Sequence, residues 1–236
     1  MSTMAPRAQL LLLLVPTLCS VCRALTSVAT PPTRRAKPAR FNSVLVGDSL
    51  LAGFVQRSVY EPVRDACAER LAGVLLSPFE VTATAVDGAP LSNVEQRLTR
   101  ELAAAPDAVV LLAGTNDLWR RDADGVAWAL KRQWAAAEAA GCRIVVGCTL
   151  PPYELPAAAR PLDALFSLAD GVESTRRQVN DEIRRHAPVL LDVDQLCERD
   201  PALYSRPDGA HFTPEGYRAL GGRVAEVLEA ALRALP

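Results

Sequence analysis

The chain has 236 residues, with 26 Lys and Arg against 27 Asp and Glu, and half of its residues are hydrophobic. That length suits one domain with a sizeable core, and the charge pattern holds no basic patch interleaved with aromatics of the kind a nucleic-acid partner requires. Two histidines, and no Cys or His cluster at metal-ligand spacing, give no reason to expect a metal or another cofactor.

Residues 1–29 read as a signal or targeting leader: Met1 to Arg7 precede the apolar run Ala8 to Val15, and small residues suited to cleavage lie near Ala24 and Ala29. Pro16 interrupts the run well short of the about 20 apolar residues that a spanning helix needs, so no stable membrane span is expected. Residues 30–40 form a basic, proline-rich linker, and the domain proper is 41–236. The first 40 residues carry Arg7, Arg23, Arg34, Arg35, Lys37 and Arg40 and no acid, which leaves 20 basic and 27 acidic residues, a formal charge of −7, for the remainder. The leader points to the secretory route or secretion, with a plastid or another organelle as the alternative address. Its removal would take Cys19 and Cys22 and leave Cys67, Cys142, Cys148 and Cys197, whose spacing demands no pairing among the three that four cysteines allow.

In chain order, the first strand is read at Ser43 to Gly47 and runs into Gly47-Asp48-Ser49-Leu50, where a strand should hand over to a helix and leave a serine hydroxyl exposed. A second strand follows at Phe79 to Val86, with Gly88, the only glycine between Gly73 and Gly114, just beyond it. Ser92 to Glu95 reads as a capping box for a helix with Val94, Leu98 and Leu102 on one face. The third strand, Ala108 to Ala113, ends in Gly114-Thr115-Asn116-Asp117. A helix over about 123–140 holds Trp128 and Trp134 as packing residues. The fourth strand, Arg143 to Cys148, places Cys148 as a small buried hydrophobe. Pro151 to Gly171, with four prolines, reads as a loop beside the site. His186 closes a helix before Pro188, where a polar or cationic side chain suits the helix dipole. The fifth strand is Val189 to Val193. After Asp208-Gly209-Ala210-His211, Thr213 is the N-cap and Pro214 the first residue of a helix whose apolar face is Tyr217, Leu220, Val224, Val227 and Leu232.

Strands alternating with helices indicate a parallel sheet covered on both faces. In the doubly wound order 2-1-3-4-5, ligands bind beyond the carboxyl ends of the strands near the switch point, and Ser49, Gly88 and Asn116 each follow one of the three strands meeting there. Ser49 as nucleophile needs a base, an orienting carboxylate and oxyanion donors. His211 is the better placed histidine, and Asp208 three residues upstream can hold its tautomer. The backbone N–H groups of Ser49 and Gly88 and the Asn116 amide are the oxyanion candidates. Each residue also has a plain structural alternative: Ser49 as a helix cap, Gly88 as a turn former, Asn116 and Asp208 as turn residues. Asp48 and Asp117 read as turn or cap residues, and Asp192 and Asp194 stand second to Asp208 as orienters.

The blocks Gly47-Asp48-Ser49-Leu50, Gly88, Gly114-Thr115-Asn116-Asp117 and Asp208-Gly209-Ala210-His211 closely resemble, in order and separation, those of the SGNH hydrolases, also called the GDSL esterase and lipase family. Pro151-Pro152 is a weaker shared feature. The resemblance runs from about Phe41 to the C-terminus. It implies a flavodoxin-like three-layer α/β/α sandwich with a five-stranded parallel sheet, and hydrolysis of an ester or thioester through an acyl-serine. Carried over by position, Ser49 is nucleophile and oxyanion donor, Gly88 and Asn116 are the further donors, His211 is the base and Asp208 its orienter. Acyl transfer from the same acyl-enzyme, or a silent binding module on the same fold, are the alternatives. Leu50, Leu118, Trp119 and Tyr153 are candidates to line an acyl pocket, with packing the competing role. A small acyl ester, a lipid or an acylated carbohydrate are the substrate classes left open.

Overall fold

Five apolar runs form one parallel sheet. The computed structural model describes residues 40–56, 59–74, 79–153 and 163–236, and of 163–170 the backbone. The leader, the linker up to residue 39, and Pro156 and Pro161 of the expected loop lie outside these residues. Strands β1 (Phe41–Gly47), β4 (Phe79–Ala85), β5 (Ala108–Leu112), β6 (Ile144–Cys148) and β7 (Val189–Leu191) stand in the order β4-β1-β5-β6-β7, every neighbouring pair parallel. Numbered among themselves, that is 2-1-3-4-5, the expected order. The chain winds outward from β1 to β4, then returns across to β5 and on to β7, and the connecting helices bury the sheet. Burial from both sides explains the unbroken apolar sequences Ala-Val-Val-Leu-Leu and Ile-Val-Val-Gly-Cys, every residue of which is buried. Each large aliphatic side chain among them contributes about 1.5–3 kcal/mol by leaving water.

The register brings Gly47 level with Ala85 on one side and Leu112 on the other. Three chain segments therefore leave the sheet together at one edge of the sandwich. Helix α1 (Ser49–Ala52) starts directly after β1, and a short antiparallel hairpin, β2 (Phe54–Gln56) with β3 (Val59–Tyr60), rises beside it. This hairpin is absent from the sequence reading, because a three-residue and a two-residue strand show too little alternation to stand out. Helix α2 (Val63–Ala72) then packs along α7 (Pro214–Ala234).

Several local expectations change. Helix α3 (Leu91–Leu102) begins one residue before Ser92, so Ser92 lies inside the helix and caps nothing; Pro90 occupies the N-cap without a side-chain bond. The cap comes instead from another element, with the Leu91 N–H donating to Asp117 Oδ2 at 2.8 Å. Glu95 pairs with Arg132 on α4 (Ala123–Ala139). On that helix Trp134 is buried, but Trp128 is 60% exposed and is not a packing residue; Arg132 lies over its ring at 4.6 Å. The loop expected to reach Gly171 ends earlier, since α5 (Asp163–His186) is helical from Asp163 onward. The fifth strand stops at Leu191 because Asp192 turns to cap α6 (Val193–Arg199), accepting from the Gln195 N–H at 3.1 Å. Thr213 caps α7 as expected, accepting from the Gly216 N–H at 3.3 Å, and Tyr217, Leu220 and Val224 are buried. The thiols of Cys67, Cys142, Cys148 and Cys197 are free. Among the described residues no helix is long and apolar enough to cross a membrane.

The α2–α7 contact depends on a missing side chain. A Cβ on Gly221 would stand 2.6 Å from the Val63 carbonyl oxygen and 2.7 Å from the Ala66 Cβ, whereas one on Gly222 would meet nothing within 4 Å. Gly221→Ala should therefore destabilise by about 1–3 kcal/mol through forced separation of the helices. Gly222→Ala should stabilise by about 0.5–1 kcal/mol through helix propensity. Urea midpoints of the two variants check the pair, and a Gly221→Ala midpoint equal to wild type would contradict the close approach.

Candidate active site

At the tip of β1, Asp48 takes an extended backbone, φ −104° and ψ −157°, and its Oδ1 accepts from the Leu50 N–H at 3.0 Å, which makes it the N-cap of α1. Ser49 is thus the first residue of a helix that starts where the strand ends. Its hydroxyl points out of the sheet toward the loop before α7, from 162 positions away in sequence. There the Ser49 Oγ and the His211 Nε2 are 2.9 Å apart.

Asp208 fixes that histidine three times over. Its Oδ1 accepts from the backbone N–H groups of Ala210 at 2.9 Å and His211 at 2.7 Å, and its Oδ2 lies 2.7 Å from His211 Nδ1. Partial burial pushes the Asp208 carboxyl up, but the hydrogen bonds from His211 and Ala210 outweigh it and hold the group below the usual carboxylate range. An ionised carboxylate only accepts, so Nδ1 carries the proton, and Nε2 is left to accept from the Ser49 hydroxyl. The ring is also held by shape. Phe54 packs edge-on against it with centroids 4.8 Å apart, and Tyr60 packs in turn against Phe54. Tyr60 donates from its hydroxyl to Asp87. Behind the ring, Phe212 and Tyr217 are fully buried and meet edge to face at 5.4 Å, which seats the histidine loop on α7.

On the far side of Ser49, Val86 to Ala89 form a turn closed by the Ala89 N–H to the Val86 carbonyl at 3.2 Å, with Gly88 at φ +65°. A side chain there would have room, so glycine is required by the backbone and not by crowding. Asn116 sits in a 3₁₀ turn, Thr115–Asp117, after β5, and its Nδ2 donates to the Ala89 carbonyl at 3.2 Å. The Gly88 turn and the Asn116 turn are therefore tied to each other. Asp117 tightens the same junction, taking the Leu91 N–H and pairing with Arg121 at 3.2 Å.

The rival orienters lie elsewhere. Asp192 bonds Thr149 and Arg184, and Asp194 pairs with Arg176 and Arg184. Arg176, a buried cation, is fully engaged by Glu173, Asp194 and the Leu150 carbonyl. His186 ends α5 beside Glu182, as its sequence position suggests. Of the four lining candidates, Leu50 and Leu118 are core side chains, only 2% and 4% exposed, which corrects their place in an acyl pocket. Trp119 is 44% exposed and meets Tyr153 edge to face at 5.4 Å. Next to the Gly88 turn, a cleft of about 440 Å³ is lined by Leu51, Ala52, Tyr60, Ala85, Val86 and Asp87. Sequence reasoning missed the Phe54 and Tyr60 side of the site, for the hairpin that carries both residues is too short to leave a signal in the sequence.

An α/β/α sandwich that brings a serine at the end of its first strand against a histidine from before its last helix has the architecture of the SGNH esterases and lipases. A sequence model of the GDSL-like lipase/acylhydrolase family matches residues 45–219, and the chain belongs to that family. It is accordingly a carboxylic ester hydrolase. Solved structures share the fold. The lipase/acylhydrolase from Enterococcus faecalis has 23% identity and a TM-score of 0.64, covering 83% of this chain and 98% of its own. Est24, a carbohydrate acetylesterase from Sinorhizobium meliloti, has 17% identity and a TM-score of 0.64 over 80% and 99% of the two chains. The aryl esterase of M. smegmatis has 20% identity and a TM-score of 0.59 over 81% and 99%. Among curated proteins no sequence matches the chain significantly.

Because Asp208 sits below its ordinary range in the folded chain, the stability it confers is present at neutral pH and lost as pH falls through that lowered range. The difference in denaturant midpoint between wild type and Asp208→Ala should therefore shrink from about pH 7 to about pH 3. A difference that stays constant over that span would show that the carboxylate charge contributes nothing.

Proposed function

We propose that the chain cleaves carboxylic esters through an acyl-serine intermediate, with Ser49 as nucleophile, His211 as general base and acid, and Asp208 as its orienter. The observation that carries this reading is the unbroken contact from the Asp208 carboxylate through the imidazole to the Ser49 hydroxyl. Ser49 Oγ attacks the acyl carbon as Nε2 takes its proton, and the imidazolium so formed is stabilised by Asp208. The same proton then goes to the leaving alkoxide, which departs as the alcohol. Water, activated by Nε2, attacks the acyl-serine and releases the acid and the free serine.

The carbonyl oxygen becomes negative in both tetrahedral steps. The Ser49 and Gly88 N–H groups and the Asn116 amide are the donors for that charge, each worth about 3 kcal/mol of barrier. Their origin on three adjacent strand ends, and the Asn116 bond to Ala89 beside Gly88, support their acting together. Exposed Trp119, three residues beyond Asn116 in the chain and packed edge to face on half-buried Tyr153, supports a role in holding the acyl or alcohol part of a small ester, a lipid or an acylated sugar. The leader at residues 1–29 supports delivery by the secretory route.

Ser49→Ala should abolish the covalent adduct with an organophosphonate and lower turnover of a chromogenic ester by at least about 10³-fold. Retention of both would refute the acyl-serine. Asn116→Ala should cost about 10²–10³-fold in kcat while adduct formation persists at a reduced rate, and an unchanged kcat would remove Asn116 from the oxyanion site.

A further inference from the structure

The residue immediately before Ser49 is buried with half of its carboxyl unpaired. Asp48 is 0% exposed. Its Oδ1 takes the Leu50 N–H, but no donor among the described residues reaches Oδ2. The contrast with Asp117, 3% exposed, is sharp: that carboxylate has both a backbone N–H and Arg121. The groups facing Asp48 from the surrounding elements offer no compensation. Asp87 comes from the turn after β4 and Asp117 from the turn after β5, both of the same sign. Tyr217 comes from α7, and burial pushes its hydroxyl up, so it brings no charge of either sign. The nearest titratable pair on the other side of Ser49, His211 and Asp208, is already engaged with itself and with the Ser49 hydroxyl.

We propose that Asp48 carries a proton in the catalytically competent enzyme and serves as a neutral positioning residue, capping α1 beneath Ser49 without placing a charge there. This rests on Ser49 being the nucleophile. A buried carboxylate bonded only to backbone N–H groups and facing no cation is far costlier than the buried neutral acid. Burial, aided by the fields of Asp117 and Asp87, pushes the group up to about 7 against the pull of the Leu50 N–H and of its own backbone N–H. The neutral form also suits the reaction. An ionised Asp48 would oppose the negative charge that develops on the carbonyl oxygen near the Ser49 N–H. That opposition slows attack.

Two measurements on the full chain test this. The first is a ¹³C NMR titration of the Asp48 carboxyl carbon, identified by its loss in Asp48→Asn. A midpoint near neutral pH is expected, and a midpoint in the ordinary carboxylate range would overturn the proposal. The second is the ratio of kcat/KM in Asp48→Asn to that in wild type, which should rise by about tenfold from about pH 6 to about pH 9 as the wild-type carboxyl ionises and the amide does not. A ratio independent of pH would overturn the catalytic part. The carboxyl titration needs no working Ser49, so its result is separate from that of Ser49→Ala.

Discussion

One hydrogen bond, from the Ser49 hydroxyl to His211 Nε2, sets the demands on the rest of the molecule. It joins groups 162 residues apart, so neither can be placed by local structure alone. The serine end is rigid because β1 is central, paired on both sides, and stops where Asp48 starts a helix. The histidine end is a loop, and loops wander unless they are tied. Here Asp208 takes two backbone N–H groups and the ring, Thr213 caps the next helix, and Phe212 and Tyr217 sink beneath it. Those restraints replace the order that a sheet would give.

The other half of the site follows from strand order. A parallel sheet that starts in its middle and winds both ways leaves a crevice where neighbouring strands send their chains to opposite faces. Ser49, Gly88 and Asn116 enter that crevice from three neighbouring strands. Asp117 then couples its walls, for it belongs to the Asn116 turn, caps α3 and pairs with Arg121. This carboxylate stands in for the cap that Pro90 cannot provide. Two buried aspartates thus flank the site with different surroundings, one supplied with a cation and one without. Burial is nearly the same for both, and partners make the difference.

Much of this could be read from the chain. The strands were legible because burial on both faces leaves uninterrupted apolar runs, and the glycine and polar residues at their ends mark where backbone leaves the sheet. With two histidines in the chain, only one of them followed by a helix start, the pairing of His211 with Asp208 was a short step. What escaped was non-local or too brief. The Ser92 to Glu95 pattern fits a capping box, yet a distant carboxylate won the Leu91 N–H. Trp128 reads as core from its type alone, but the helix rotation turns it outward to Arg132. The β2–β3 hairpin is shorter than any window in which alternation stands out. Leu50 and Leu118 adjoin site residues in sequence and point the opposite way, into the core.

The seating of the histidine loop on α7 has a further consequence. That helix is held to α2 by a contact so close that only a hydrogen fits at Gly221, and such an interface tolerates little expansion. Anything that pries those two helices apart therefore also carries the imidazole away from its serine, although no residue of the interface belongs to the triad.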